Sequence, residues 1–198
     1  MGKAKPAGIG HNKGPTMEAG AGWRRFAWGK ARRDLLPQMP LEVVRLRVRR
    51  AAELGLDYRA YASVRAATGR DVVALLFSSN ALRVVRPQDD LPEDRADKLK
   101  SLRRTGLRSV VARPMVPGDF ASRLAGAHGI TLDMVAEAPD LLGTWSDARK
   151  QMLAACAGVP ADAVLLIGDL GLERAWSDAG RLAGYVPAER FFAGPLRG

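Results

Sequence analysis

The residues of this 198-residue chain that could do chemistry fall in two places. The first is LLIGDLGLERAW (165–176), where Asp169 ends an apolar run and Glu173 follows four positions later. An acid at the carboxyl end of a strand is where α/β enzymes set catalytic groups, so Asp169 and Glu173, with an arginine, form a candidate acidic site. The simpler role for Asp169 is a turn or helix cap ahead of Leu172. FSSN (77–80) raises the same question at another strand end. A serine nucleophile needs a histidine base, His128 is the only one downstream of the leader, and no G-x-S-x-G surrounds Ser78 or Ser79. N-capping of the following ALRVV segment is the plainer reading for these serines.

Metal and nucleotide chemistries lack their residue sets. A metal centre needs three or four convergent donors, whereas His11 and His128 lie more than a hundred positions apart and Cys156 is the single cysteine. His128, just before Gly129, reads as a helix C-terminal residue. No G-x-x-x-x-G-K-[ST] is present and no G-x-G-x-x-G follows a strand-like run. No cofactor is expected.

The second place is the basic third of the chain. The formal charge of +10 resides wholly in residues 1–70, with fifteen Lys/Arg against five Asp/Glu; residues 71–198 hold sixteen of each. A segregated charge implies one basic surface presented by one segment, and the obvious polyanion is nucleic acid, with an anionic membrane second. Candidate phosphate contacts are Lys3, Lys5, Lys13, Arg24, Arg25, Lys30, Arg32, Arg33, Arg45, Arg49 and Arg50. Trp23, Trp28 and Tyr58 are available to stack on unpaired bases.

These side chains need elements to position them. Residues 1–22, glycine-rich and poor in apolar mass, read as a disordered basic leader. Residues 23–69 read as a basic helical module. WRRFAWGKARRDLL is a short amphipathic helix ending before Pro37. LEVVRLRVRRAAEL is a second, with an apolar stripe through Leu41, Val44 and Val48 and a stop at Gly55. DYRAYASVRAAT is a third, capped by Asp57 and closed by Gly69. RRAAELGLDYRAYASVRAA also looks like a helix-turn-helix, with Ala51, Gly55, Leu56, Tyr61 and Val64 at its structural positions. Tyr58, Arg59, Ser63, Arg65 and Arg70 would then face nucleic acid. Arg50 occupies a place where that pattern prefers an apolar residue, and an ordinary helical hairpin with a solvated arginine face is the competing reading.

Residues 70–198 read as a small charge-balanced α/β domain. Apolar runs in RDVVALLFSSN, SVVARPMV and AVLLIGDLG suggest strands, although Asp71 capping a helix suits the first nearly as well. The intervening PEDRADKLKSLRR, GDFASRLAGAHG, TLDMVAEAPDLLG and TWSDARKQMLAACAG have helical patterns. Strands alternating with helices predict a helix-rich α/β fold with a mixed or parallel sheet. Trp28, Trp145 and Trp176 each begin a W-x-x-A-x-[RK] segment, read either as coincident amphipathic packing or as a repeated partner-binding helix. In the latter two, Ser-Asp after the Trp is expected in a helix's first turn.

GIGHNKGP (8–15) resembles a G-I-G-H-N-x-G-P segment near the N-termini of otherwise unrelated small alphaproteobacterial proteins, many linked to phages, gene-transfer agents or other mobile elements. The resemblance covers eight residues and implies a genomic neighbourhood; it transfers no catalytic role. No apolar run approaches the roughly 20 residues of a membrane helix, and no secretory h-region is present, so a cytoplasmic protein is expected. The leading expectation is a non-enzymatic nucleic-acid-binding protein, DNA ahead of RNA, whose 70–198 domain contacts a protein partner or a second copy. The alternatives are a small α/β enzyme using Asp169 and Glu173, and an adaptor whose W-x-x-A helices dock a protein or anionic membrane.

Overall fold

A computed structural model describes residues 39–140 and 142–193. The leader, the expected helix at 23–36 and the phosphate-contact candidates Lys3, Lys5, Lys13, Arg24, Arg25, Lys30, Arg32 and Arg33 lie outside the described residues. Within them the fold is a helix-rich α/β arrangement. Its helices are α1 (Leu41–Glu53), α2 (Tyr58–Thr68), α3 (Glu93–Ser101), α4 (Pro117–His128), α5 (Trp145–Ala155), α6 (Gly171–Gly180) and α7 (Ala188–Phe192). Its strands are β1 (Ala74–Ser78), β2 (Gly106–Val111), β3 (Met134–Glu137), β4 (Val164–Gly168) and β5 (Gly184–Pro187). The sheet runs β3-β2-β1-β4-β5, and every pairing is parallel. The chain winds outward from β1 to β3, then returns to β4, so the order reverses between β1 and β4.

Period-two alternation divides the sheet between two helical layers. Leu75, Phe77, Leu165 and Ile167 share one core with Leu54 and Tyr61 of the α1–α2 hairpin, Leu99 of α3, Phe120 of α4 and Phe191 of α7. Leu76, Val110, Val164 and Leu166 face Met152, Cys156 and Trp176 on the α5–α6 side. Both central strands are buried along their whole length, which is why β1 and β4 read as continuous apolar runs.

The α1–α2 hairpin forms as its sequence suggests. Gly55 turns the chain at φ +66°, and an added Cβ would stand 2.8 Å from Leu102 Cδ2. The Asp57 carboxylate accepts from the Ala60 N–H, and Gly69 closes α2 in the left-handed conformation. The expected apolar stripe of α1 is buried only from Ala51 onward, with Leu41 and Val48 exposed. Residues 69–71, where the charge balance changes and a boundary was expected, do not interrupt the core: Ala51, Leu56 and Tyr61 pack in the same cluster as β1.

Two expectations are corrected. The described residues of TLDMVAEAPDLLG hold no helix; Met134–Glu137 is the edge strand β3, paired to β2 alone, and that neighbour supplies the ladder bonds that decide its state. Gly184–Pro187, the other edge, was not anticipated. The W-x-x-A similarity also separates. Trp145 opens α5 and is exposed, whereas Trp176 is buried in the second half of α6, so Ser177 and Asp178 lie in a last turn instead of a first.

Candidate functional site

The carboxyl edge of the sheet is the first place to look, since open α/β sheets bind ligands where the strand order reverses. Ser78 and Ser79 are buried there. The Ser78 hydroxyl accepts from the Ala81 N–H at 3.0 Å, and the Ser79 hydroxyl accepts from the Ala112 N–H at 3.1 Å. Ser78 therefore caps a turn in place of a helix. His128 ends α4 beside Asp90, 2.8 Å away, with no hydrogen bond to either serine.

Glu173 is fully buried, and both of its oxygens are engaged. Oε1 accepts from Asn80 Nδ2 at 2.8 Å, while Oε2 accepts from the Asp169 and Leu170 N–H groups at 2.6 and 3.1 Å. It caps the first turn of α6, where the helix dipole favours a carboxylate. The cap is thus Glu173 and not Asp169, whose side chain is exposed. A crevice of about 420 Å³ lies alongside, walled by Ala112, Ala138, Leu170 and Trp176, with Asn80, Arg113, Asp140 and Gln151 as polar lining.

The opposite edge gathers positive charge. Asp71 and Val72 lead into β1, and Arg104 leads into β2; with α1 and α2 they enclose a cleft of about 480 Å³. Arg47, Arg49, Arg50, Arg65 and Arg104 line it, against two carboxylates, Glu53 and Asp71. These arginines are of two kinds. Arg50 belongs to the wall: Nε donates to Asp71 Oδ2 at 3.0 Å, Nη1 to Glu53 Oε2 at 3.0 Å and to the Arg104 carbonyl at 3.1 Å, and Nη2 to the Val72 carbonyl at 2.7 Å. It joins α1 to the start of β1; expected as a phosphate contact, it stands in the wall of the cleft with four internal hydrogen bonds. Asp71 further accepts from the Tyr61 hydroxyl at 2.8 Å. Burial, then the Asp71 carboxylate, push the Tyr61 phenol above its ordinary pKa.

The remaining guanidiniums are looser. Arg65 lies 3.8 Å from Asp71 and Arg104 lies 3.9 Å from Glu53. Arg47 and Arg49 have no ion-pair partner among the described residues. Arg104 stands at φ +53°, a left-handed conformation that a non-glycine residue adopts at a cost of about 1 kcal/mol, and its side chain is 82% exposed.

Around the cleft, Arg45 is exposed and paired with Glu42 at 2.8 Å. Tyr58, Arg59 and Ser63 are exposed on α2, whereas Arg70 is 3.0 Å from Asp162. Ala51, Leu56 and Tyr61 are buried as a helix-turn-helix requires, but they anchor the hairpin to a sheet. Sequence reasoning missed Arg104 because LRR was read as the tail of α3; the helix ends at Ser101, and the loop carries Arg104 to a partner 54 positions away.

Among the described residues, no three or more His, Cys, Asp and Glu side chains are grouped to hold a metal ion. No described helix is long and apolar enough to cross a membrane. No family model, curated protein or solved structure matches this chain.

Proposed function

We propose that this chain is a non-enzymatic nucleic-acid-binding protein, DNA ahead of RNA, that contacts phosphates through its arginine-rich N-terminal third. The observation that supports the reading is the cleft between the α1–α2 hairpin and the amino edge of the sheet, where arginines outnumber carboxylates five to two. Arginine presents a planar fork suited to phosphate oxygens, and a concavity in which Arg47 and Arg49 have no ion-pair partner among the described residues favours an anionic ligand over solubility alone. Exposed Arg45 and Arg59 extend the basic surface beyond the cleft. The eight-residue leader segment that resembles those of phage-associated proteins agrees with such a role. The enzymatic alternative is weakened because Glu173 holds three N–H donors and Asp169 is left without a second acid to tune it.

The test is a salt titration of the full chain with a duplex oligonucleotide. Affinity should fall linearly with log salt, by about 0.9 log unit per neutralised phosphate. Replacing Arg45 and Arg59, both exposed outside the cleft, with Gln should reduce that slope by about 2 and weaken all sequences alike. A slope near zero in the parent chain would refute nucleic-acid binding.

A further inference from the structure

We propose that the arginine cleft is a phosphomonoester site that receives the terminal phosphate of a single nucleic-acid strand. The inference rests on the nucleic-acid reading and narrows it to one chemical group. Three features of the site carry it.

The first is size. A volume of about 480 Å³ corresponds to a cube roughly 8 Å on edge. One phosphate with its sugar fits within such a space. A terminal phosphate, tethered by one ester bond, turns into the concavity more freely than a phosphodiester held at both ends.

The second is charge. Five guanidiniums against Glu53 and Asp71 leave a formal excess of three positive charges around one concavity. A backbone phosphodiester brings one negative charge, but a terminal phosphomonoester approaches two near pH 7 and adds a further acceptor oxygen. The dianion matches the excess better.

The third is preorganisation. Arg50 ties Glu53 on α1 to Asp71 before β1 and to the Arg104 carbonyl in the α3–β2 loop. That one side chain holds the wall in which Arg104 keeps its left-handed backbone, with the Arg104 guanidinium still largely exposed. Backbone strain retained by a residue on the rim of a cleft, and fixed from behind by an ion-pair network, is the arrangement expected of a ligand-holding position. Glu53 and Asp71 are engaged by Arg50, so Arg47 and Arg49, without an ion-pair partner among the described residues, and Arg104, largely exposed and only 3.9 Å from Glu53, face an incoming anion.

The experiment measures fluorescence anisotropy of the full chain with one single-stranded oligonucleotide carrying either a 5′-phosphate or a 5′-hydroxyl. The 5′-phosphate should tighten binding about tenfold, the gain of one added charge-assisted hydrogen bond. Arg104→Gln and Arg47→Gln, on separate elements and checked by thermal melts, should each erase most of that preference while leaving the 5′-hydroxyl affinity within about threefold. Arg59→Gln, outside the cleft, should weaken both strands equally. Equal affinity for the two strands overturns the proposal and leaves nucleic-acid binding standing. A preference that survives both cleft substitutions also overturns it. If inorganic phosphate alone binds as tightly as the phosphorylated strand, the strand contributes nothing and the proposal falls. If neither strand binds, whether or not vesicles containing a phosphoinositide do, this inference and the nucleic-acid reading fail together.

Discussion

Replacing Glu173 with Ala tests whether its carboxylate is a structural cap or a spare acid. The side chain is fully buried and accepts three hydrogen bonds, one from Asn80 Nδ2 and two from the N–H groups of Asp169 and Leu170. Hydrogen bonds to a charged group contribute about 1.5 to 3 kcal/mol each. Asp169 and Leu170 are exposed residues, so water recovers part of the loss at their N–H groups, whereas Asn80 is partly buried. The expected cost of Glu173→Ala is about 3 kcal/mol, or roughly 6 to 12 °C in Tm for a chain of this size. Glu173→Gln keeps one acceptor for the two backbone donors. Its amide NH2 then faces Asn80, which must turn its own amide to offer oxygen, so the cost should be about 1 kcal/mol. Urea denaturation at pH 7 with a common m-value measures both, and Asn80→Ala completes a double-mutant cycle. A change below about 0.5 kcal/mol for Glu173→Ala would refute the capping role and return Glu173 to the list of groups free for acid–base work.

Burial pushes the Cys156 thiol up to about 11, against a small opposing effect of Arg108, so it should resist iodoacetamide at pH 8 in the folded chain and react once urea unfolds it. Asp57 is pulled in two directions: burial raises its pKa, but the Ala60 N–H and Arg190 outweigh that and hold the carboxyl below its ordinary 3.8. A lowered folded-state pKa stabilises above the unfolded value and is lost as pH falls through the folded one, so Asp57→Ala should cost about 1 kcal/mol at pH 7 and clearly less below about pH 3, read by urea midpoints at both pH values. Arg108, buried, donates from Nη1 to the Ala155 and Ala157 carbonyls at 2.8 and 3.0 Å. Arg108→Met should lower Tm by several degrees by leaving the C-terminal carbonyls of α5 unpaired, and an unchanged Tm would show that water satisfies them.

The architecture was legible where burial on both faces writes a continuous apolar run. Leu75–Phe77 and Val164–Ile167 identify β1 and β4, because a strand covered by helices on both sides needs no polar face. Met134–Glu137 and Gly184–Pro187 were not legible for the complementary reason. Each pairs on one side only, is partly exposed and offers four residues, too few for a period to distinguish strand from helix. The hairpin ends were legible from Asp57, Gly55 and Gly69, whose side chains or lack of them act locally. The cleft was not. Its membership depends on which arginines a long-range fold joins, and nothing in the spacing of Arg50 and Arg104 announces that one donates to the carbonyl of the other.

That distinction bears on how a basic sequence should be interpreted. Counting charges treats Arg50 and Arg47 alike, yet one is held by two carboxylates and two carbonyls while the other has no ion-pair partner among the described residues. Removing the first would break the wall of the cleft, and its effect on binding would be inseparable from the effect on folding. Removing the second leaves the core untouched and changes only what the cleft offers to an anion. The two edges of the sheet differ in the same way. At the carboxyl edge, where α/β folds ordinarily bind, Ser78, Ser79 and Glu173 are already engaged in holding backbone N–H groups. At the amino edge Arg50 bonds both carboxylates, and the five arginines of the cleft exceed its two acids by three charges. A ligand that binds this protein through charge is therefore expected at the end of the sheet that its fold class would not have suggested.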